Sequence, residues 1–207
     1  MPWPAHGQGT IRYVNLGGVQ FPSAAAGSVT SEYGRDTPVD FDGNGVVDLV
    51  FRNRSSFQQF IVPSGDNAVL ARPIPPPDVT SDVVPLALGH MIGPNVSGSL
   101  NWVPARPSGN PLIGPLGPYL SACYDFGCVG LFAGQTAYMG VQFEIDNQTH
   151  YGWMHLRSEA AGSVVHGFAY NTVPREPILA GQVPEPAIVT LTLFGAAVLW
   201  ASRKFSR

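Results

Sequence analysis

The sequence predicts an all-β protein, an antiparallel β-sandwich of jelly-roll or lectin-like type, followed by a single hydrophobic helix at the C-terminus. Three observations support this fold class. Only 12% of the 207 residues are charged, and 24 Gly and 20 Pro give a balance typical of short strands joined by turns. Several segments alternate apolar and polar side chains with a period of two. The C-terminal segment is instead apolar at nearly every position, as in a helix without a polar face.

The predicted strands lie between clusters of turn residues. In the clearest of them, Met139, Val141, Phe143 and Ile145 alternate with polar or small residues, which gives the strand one apolar face. Residues 146–149 supply a turn, so a hairpin is expected here, extended into a meander by a third strand. The full set of predicted strands is 10–14, 46–52, 57–62, 83–88, 99–103, 137–145, 150–157 and 164–170.

Two stretches dense in proline and glycine, at about 72–85 and 104–118, predict long surface loops, because proline lacks a backbone donor and fixes φ. Neither half of the chain contains a complete set of strands. We therefore expect one β-sandwich domain over residues 1–182. A tail over residues 183–207 follows, with a transmembrane helix at 187–202.

The distribution of charge excludes one class of partner. The whole chain carries a net charge of −3, and Arg203, Lys204 and Arg207 contribute +3, so residues 1–186, with eight Arg and fourteen acidic residues, carry −6. Proteins that bind nucleic acid present a basic surface to the phosphates. We therefore expect no nucleic-acid partner.

The stretch DFDGNGVVD, residues 40–48, has the ligand pattern of a calcium loop. Asp40, Asp42 and Asn44 offer side-chain oxygens at alternate positions, Val46 offers its carbonyl, and Asp48 closes the set at the ninth position. Hard oxygen ligands at this spacing suit Ca²⁺, and the two glycines of the stretch permit a tight curl. The sequence thus predicts a structural calcium site. The alternative is an Asx-rich hairpin turn without an ion.

The same loop resembles the DxDGNGxxD loops of integrin-type and dockerin-like calcium sites. Its twelfth position is Phe51, where an EF-hand uses Glu, and the residues that follow the loop read as a strand. The resemblance therefore implies a calcium loop that leads into a strand, and not a helix-loop-helix hand.

Cys123 and Cys128 are the two cysteines of the chain, and they lie in the motif CYDFGC. Gly127 lets the chain turn back sharply between them, which predicts a small disulfide-closed loop in an oxidising compartment. The alternative is a pair of buried or reduced thiols. A zinc site is not expected, because two further ligands are missing nearby.

An aromatic strip lies in the predicted strand 150–157. Tyr151, Trp153 and His155 share one face of it, whereas His150 lies on the other face, which argues against joint metal ligation by the two histidines. Aromatic side chains at Tyr151 and Trp153 can stack on sugar rings, so a glycan-binding, lectin-like module is an alternative function. Packing between two sheets is the commoner role of such a strip.

Motifs of the common catalytic classes are missing from the sequence. It has no GxSxG elbow, no HExxH and no GxxxxGK phosphate loop. Glu144 and Asp146 lie at alternate positions of one strand end, and such a carboxylate pair would be needed for the least favoured alternative, a glycan hydrolase. We therefore expect that the protein is not an enzyme.

Three features follow one another in the last 25 residues. A Pro-Glu-Pro motif, Pro184, Glu185 and Pro186, precedes an apolar segment that contains Gly195. A basic cluster, Arg203, Lys204 and Arg207, follows the apolar segment. Basic residues beside a membrane span remain on the cytoplasmic side, which places the preceding body outside.

This order resembles the sorting tail of the PEP-CTERM proteins of Gram-negative bacteria. In that family a membrane protease, the exosortase, recognises the tail, and the body is released or transferred to the outer surface, often in bacteria that make exopolysaccharide. The resemblance implies an exported, non-catalytic surface or biofilm-matrix protein. It would be held transiently in the inner membrane and would then reach the cell surface or extracellular matrix, with exosortase and exopolysaccharide as partners.

The apolar segment is short for a permanent anchor. Residues 187–201 would extend about 22 Å as a helix, whereas the hydrocarbon core of a bilayer is about 30 Å thick. A span that has only to remain in the membrane until it is cut can be short.

Overall fold

The structure is a computed structural model that describes residues 11–22, 36–54, 58–73, 81–96, 98–106, 117–124, 127–159 and 162–184. These residues form strands and turns, and no helix occurs among them, so the all-β prediction is confirmed. The strands are β1 Ile11–Pro22, β2 Asp36–Val39, β3 Leu49–Arg54, β4 Gln58–Pro63, β5 Ala68–Pro73, β6 Ser81–Val83, β7 Met91–Ile92, β8 Asn101–Val103, β9 Tyr119–Tyr124, β10 Gly127–Val129, β11 Thr136–Ile145, β12 Gln148–Glu159, β13 Gly162–Asn171 and β14 Ile178–Leu179.

Twelve of these strands form one sheet. Its order is β1-β13-β12-β11-β5-β6-β9-β4-β3-β2, with β8 added to β5 and β10 added to β9. The pairs are antiparallel except for β6 and β9, which meet in parallel. The remaining two strands, β7 and β14, pair with each other in a separate ribbon.

The large sheet is nearly closed on itself, because strands from its two halves face each other across the interior. Phe21 of β1 packs on Phe51 of β3 with ring centres 4.8 Å apart. Ser163 of β13 donates a hydrogen bond of 2.6 Å to the side chain of Gln59 in β4. The main hydrophobic core lies between these halves and includes residues from β3, β4, β5, β9, β11, β12 and β13.

The β11–β12–β13 meander confirms the predicted alternation. Met139, Val141 and Phe143 point into the main core, as expected for one face of a half-buried strand. The opposite face of β12 is also buried, in a second cluster that contains Ile92 of β7 and Ile178 of β14. The small ribbon therefore covers the outside of the meander.

Part of one predicted loop is in fact strand. Ser81–Val83, inside the predicted loop 72–85, form β6 between β5 and β9, and Val83 is completely buried there. Residues 74–80 of that loop, and residues 107–116 of the loop predicted at 104–118, lie outside the described residues. Four strands of three residues or more that the sequence analysis did not predict are β2, β5, β9 and β10.

Candidate metal site

The loop with the predicted calcium pattern connects β2 to β3. The two strands pair up to Val39 and Leu49, and the amide of Asp48 donates to the carbonyl of Val39 at 2.8 Å, so both ends of the loop are fixed by the sheet. Gly43 and Gly45 have positive φ values of 82° and 86°, a conformation that is strained for other residues. The predicted need for glycine in a tight curl is therefore confirmed.

Three carboxylates converge inside this loop. Asp40, Asp42 and Asp48 each bring one oxygen within 4.8 Å of the oxygens of the other two. Asp40 and Asp42 are half-buried, whereas Asp48 is only 4% exposed. Among the described residues no ion pair involves these three side chains. The group could hold a metal ion, as the spacing in the sequence predicts.

Backbone amides hold the two half-buried carboxylates in position. Asp40 accepts hydrogen bonds from the amides of Gly43 at 2.7 Å and Gly45 at 2.8 Å. Asp42 accepts one from the amide of Asn44 at 3.0 Å. The chain curls around these side chains because each carboxylate binds amides two to five positions further on.

Asn44 and Val46 were predicted as the other two ligands, and in this structure they have local roles. The side-chain oxygen of Asn44 accepts from the amide of Val46 at 2.6 Å, and its amide group donates to Asp42 at 2.8 Å. The oxygen of Asn44 therefore belongs to an Asx turn in this structure, and metal ligation by Asn44 or by the carbonyl of Val46 remains a prediction.

Asp48 is held from outside the loop by a residue that the sequence analysis did not single out. Asn67, in the turn between β4 and β5, donates to the Asp48 side chain at 3.2 Å and to its carbonyl at 3.0 Å. The side-chain oxygen of Asn67 in turn accepts from the amide of Glu144 in β11 at 3.0 Å. Asp48 also accepts from the amide of Phe41 at 2.7 Å. Asn67 thus connects the loop to the meander.

The surroundings shift the pKa values of two of the carboxyl groups in opposite directions. Burial, together with the negative charges of Asp42 and Asp40, raises the pKa of Asp48 to about 6, although Phe41 and Asn67 donate to it. Burial also acts to raise the pKa of Asp40, but hydrogen bonds from Gly45 and Gly43 outweigh it and lower the value. A nearby cation would favour the charged form of Asp48, since it would offset both burial and the neighbouring carboxylates.

Among the described residues, no arginine forms an ion pair with these carboxylates. The guanidinium of Arg12 in β1 lies beside the loop, where it donates to the carbonyl of Asp42 at 2.9 Å and to the hydroxyl of Tyr170 at 3.2 Å. Arg12 therefore ties the loop to β1 and β13 through the backbone of Asp42.

The two cysteines lie opposite each other. Cys123 in β9 and Cys128 in β10 are Cα partners in the antiparallel ladder, and Cys128 is disulfide-bonded. Since the chain contains only these two cysteines, the bond is the one that the motif CYDFGC predicts. It closes the end of the β9–β10 hairpin.

The proposed sugar-stacking residues are not available to a ligand. Tyr151 is 5% exposed and Trp153 is 3% exposed, because both belong to the second hydrophobic cluster. The ring of Trp102 packs on Tyr151, and the Trp153 indole donates to the carbonyl of Gln182 at 3.1 Å. The prediction of glycan stacking at these two residues is therefore wrong, and the commoner role of an aromatic strip, packing, applies here.

The candidate carboxylate pair of a hydrolase lies at the tip of the β11–β12 hairpin. Glu144 is half-buried and accepts a hydrogen bond of 2.9 Å from the hydroxyl of Thr149. Asp146 is exposed in the turn itself, with a positive φ of 51°. The geometry of the hairpin therefore accounts for the positions of both residues.

The sorting motif is only partly described. Pro184 is exposed and is the last described residue. Glu185, Pro186, the predicted transmembrane helix 187–202 and the basic cluster Arg203, Lys204 and Arg207 lie outside the described residues. Within the described part, no helix has the length and apolar character to cross a membrane.

Comparison of the chain with protein-family models, with curated proteins and with solved structures finds no match.

Proposed function

We propose that this protein is a non-catalytic, exported component of the cell surface or of an exopolysaccharide matrix. Its body would be stabilised by one Ca²⁺ in the β2–β3 loop. Its tail would hold the chain transiently in the inner membrane until an exosortase cuts it. We also propose that the curled sheet belongs to the jelly-roll or lectin-like sandwiches.

The observation that carries the calcium proposal is the convergence of Asp40, Asp42 and Asp48. Three carboxylates within 4.8 Å repel one another when ionised, and burial of Asp48 adds a desolvation cost. A divalent cation between them would offset both effects. The cost of arranging this cluster is easier to explain if an ion normally occupies it.

Calcium fits the loop better than magnesium does. Ca²⁺ accepts six to eight oxygen ligands in flexible geometry, whereas Mg²⁺ requires a near-ideal octahedron and keeps several waters. The loop offers three carboxylates, and a rotation of the Asn44 side chain away from the Val46 amide would add a fourth oxygen. The carbonyl of Val46 and water would complete the set.

The start of the tail supports the sorting part of the proposal. The hydrogen bond from Trp153 to the carbonyl of Gln182 fixes the chain two residues before Pro184. Pro184 is exposed. Because proline disfavours helix, the Pro-Glu-Pro motif would present an extended backbone to a protease. The body would then be separated from the apolar segment at a defined position.

Thermal unfolding of the protein in the presence of calcium and in the presence of chelator tests the calcium proposal. At a free Ca²⁺ concentration of one hundred times the dissociation constant, the ion should stabilise the folded state by about 2.7 kcal/mol. For a chain of this size the midpoint should rise by about 5–10 °C. Mg²⁺ at the same concentration should have a smaller effect.

Two variants make this test specific. Asp42→Ala should remove the calcium-dependent rise, whereas Asp146→Ala, which removes an exposed acidic side chain from another turn, should retain it. Equal midpoints of the wild-type protein in calcium and in chelator would contradict the calcium proposal.

Intact-mass measurement of protein released from the surface of the native host tests the tail. The released protein should lack residues 187–207, and replacement of Pro184, Glu185 and Pro186 by alanine should leave the full-length chain in the inner membrane. Detection of Arg207 on the released wild-type protein would sink the sorting proposal, and a permanent C-terminal anchor would then be the better account.

A further inference from the structure

The pairing of β12 with β13 is irregular at one place, and two histidines meet there. His155 pairs with Gly167, but the next residue of β12, Leu156, pairs with Val165, so His166 is the extra residue of a β-bulge. The neighbouring strand β1 is irregular at the same level, since its pairing with β13 shifts between Asn15 and Val19. Bulges change the direction of side chains and are frequent beside functional sites.

The bulge brings the two imidazole rings together. The ring centres of His155 and His166 are 4.9 Å apart, and the ring planes are inclined by 38°. Two imidazoles that bind one ion through nitrogen at about 2.0–2.1 Å, with an angle of about 90–110° at the ion, have ring centres about 4.5–5.3 Å apart. The observed separation lies within this range.

The ring nitrogens of this pair are accessible. Among the described residues, neither ring takes part in a hydrogen bond, whereas every fully buried side-chain nitrogen or oxygen has a partner. Solvent therefore reaches the nitrogens of both half-buried rings. By contrast, Nδ1 of His150 is bonded to the carbonyl of Asn171 at 2.8 Å, and that buried histidine has a structural role.

Neighbouring residues restrict the orientation of the His155 ring and leave room beside the His166 ring. The ring of Tyr138 stacks on His155 with centres 4.7 Å apart, which limits the orientations of that imidazole. On the other side, Gly18 of β1 faces His166, and a Cβ at this position would lie 3.9 Å from Nδ1 of the histidine. Because Gly18 has no side chain, no Cβ at this position of β1 covers Nδ1 of His166.

We propose that His155 and His166 form a binding site for a divalent transition-metal ion of the class that prefers imidazole, such as Zn²⁺, Cu²⁺ or Ni²⁺. Two histidine nitrogens leave the remaining coordination positions to water or to a group from a partner. Ca²⁺ prefers oxygen ligands, so this site is chemically distinct from the carboxylate cluster of the β2–β3 loop.

Titration calorimetry with Ni²⁺, Cu²⁺ and Zn²⁺ tests the site on full-length, untagged protein, with excess Ca²⁺ present to occupy the carboxylates. A His6→Gln background removes a histidine that lies outside the described residues. In this background, His155→Gln and His166→Gln should each weaken binding by at least the 10–100-fold typical of losing even an outer-shell partner. His90→Gln is the matched control and should leave the affinity unchanged.

A measurement on the wild-type protein guards against variants that fail to fold. Substoichiometric Cu²⁺ should broaden the NMR signals of the imidazoles of His155 and His166 before those of His150, without any substitution. Equal broadening of all histidine signals, or unchanged affinity in the folded double variant His155→Gln and His166→Gln, would overturn the proposal.

Discussion

Two turns of this protein have similar residues but different requirements. The β11–β12 hairpin closes through Asp146 and Asn147, whose positive φ values of 51° and 60° match the two-residue turns that twist with the strands. The β2–β3 loop uses nine residues, Asp40 to Asp48, and directs three carboxylates at one another. Both turns are rich in Asp and Asn, but the loop brings three carboxylates together, whereas the hairpin does not.

The position of an acidic side chain therefore matters more than its presence in a turn. In the hairpin Asp146 is exposed, and Glu144 accepts a hydrogen bond from Thr149. In the loop Asp48 is buried beside two other acids, which raises its pKa to about 6. The hairpin therefore needs no ion, whereas the loop is expected to gain stability from one.

The largest effect is expected for Asp48→Asn, and its sign should depend on calcium. In saturating calcium the variant should lose the stabilisation by the ion, about 2.7 kcal/mol at one hundred times the dissociation constant. In chelator it should be at least as stable as the wild-type protein, because the substitution removes a buried charge beside two carboxylates. Denaturant unfolding in both conditions measures this. An equal loss of stability in both would mean that Asp48 acts only through its hydrogen bonds.

Asn67→Ala should break the connection between the two turns. The variant removes the hydrogen bonds of Asn67 to Asp48 and to the amide of Glu144, while the bond from the Phe41 amide to Asp48 remains, and this loss should cost about 1–3 kcal/mol with or without calcium. Asp66→Ala, an exposed position in the same turn, is the control and should change the free energy of unfolding by less than about 0.5 kcal/mol. If the two variants unfolded at the same denaturant concentration, the bridging role of Asn67 would be refuted.

Thr149→Val tests the hairpin alone. It removes the hydrogen bond to Glu144 and should lower the free energy of unfolding by about 0.5–1.5 kcal/mol, with the same value in calcium and in chelator. Thr149→Ser keeps the hydroxyl and should retain most of the stability. A calcium-dependent difference for Thr149→Val would argue that the two turns are coupled.

The smallest effect is expected when asparagine is replaced by glycine in each of the two turns separately. Asn147→Gly relieves a positive φ in the hairpin and should change stability by about 0.5 kcal/mol or less, as a gain. Asn44→Gly should instead weaken calcium binding, because the loop loses a side-chain oxygen. Calorimetric titration with Ca²⁺ and thermal unfolding of both variants measure the contrast. Unchanged calcium affinity in Asn44→Gly would remove Asn44 from the predicted ligands.

The sequence predicted the strands that are apolar on one face. The β11–β12–β13 meander was found within two residues of its bounds, because period-two alternation is visible in a single chain. Strand β5 was missed because residues 68–71 are buried on both sides, so that no alternation appears. In β2, Asp36 and Pro38 are both unfavourable for strands in general.

The candidate sites could likewise be predicted only where their residues lie close together in the sequence. The three carboxylates of the β2–β3 loop lie within nine residues, so their spacing was sufficient to predict the group. Asn67 contacts Asp48 across 19 positions, and this contact depends on how the turn after β4 is placed against the loop. The proximity of His155 and His166 depends on a bulge, and a sequence alone does not specify its position.

The pairing of β1 with β13 has a consequence for how the chain folds. The side chain of Arg12 binds the hydroxyl of Tyr170, which is 158 positions away, so the first described strand reaches its partner only after almost the whole body has been synthesised. Contacts of such long sequence separation carry a high loop-closure entropy and slow the folding reaction. Until β1 docks, the edge of β13 remains open to strands of other chains, and this is the period in which the protein is most prone to aggregate.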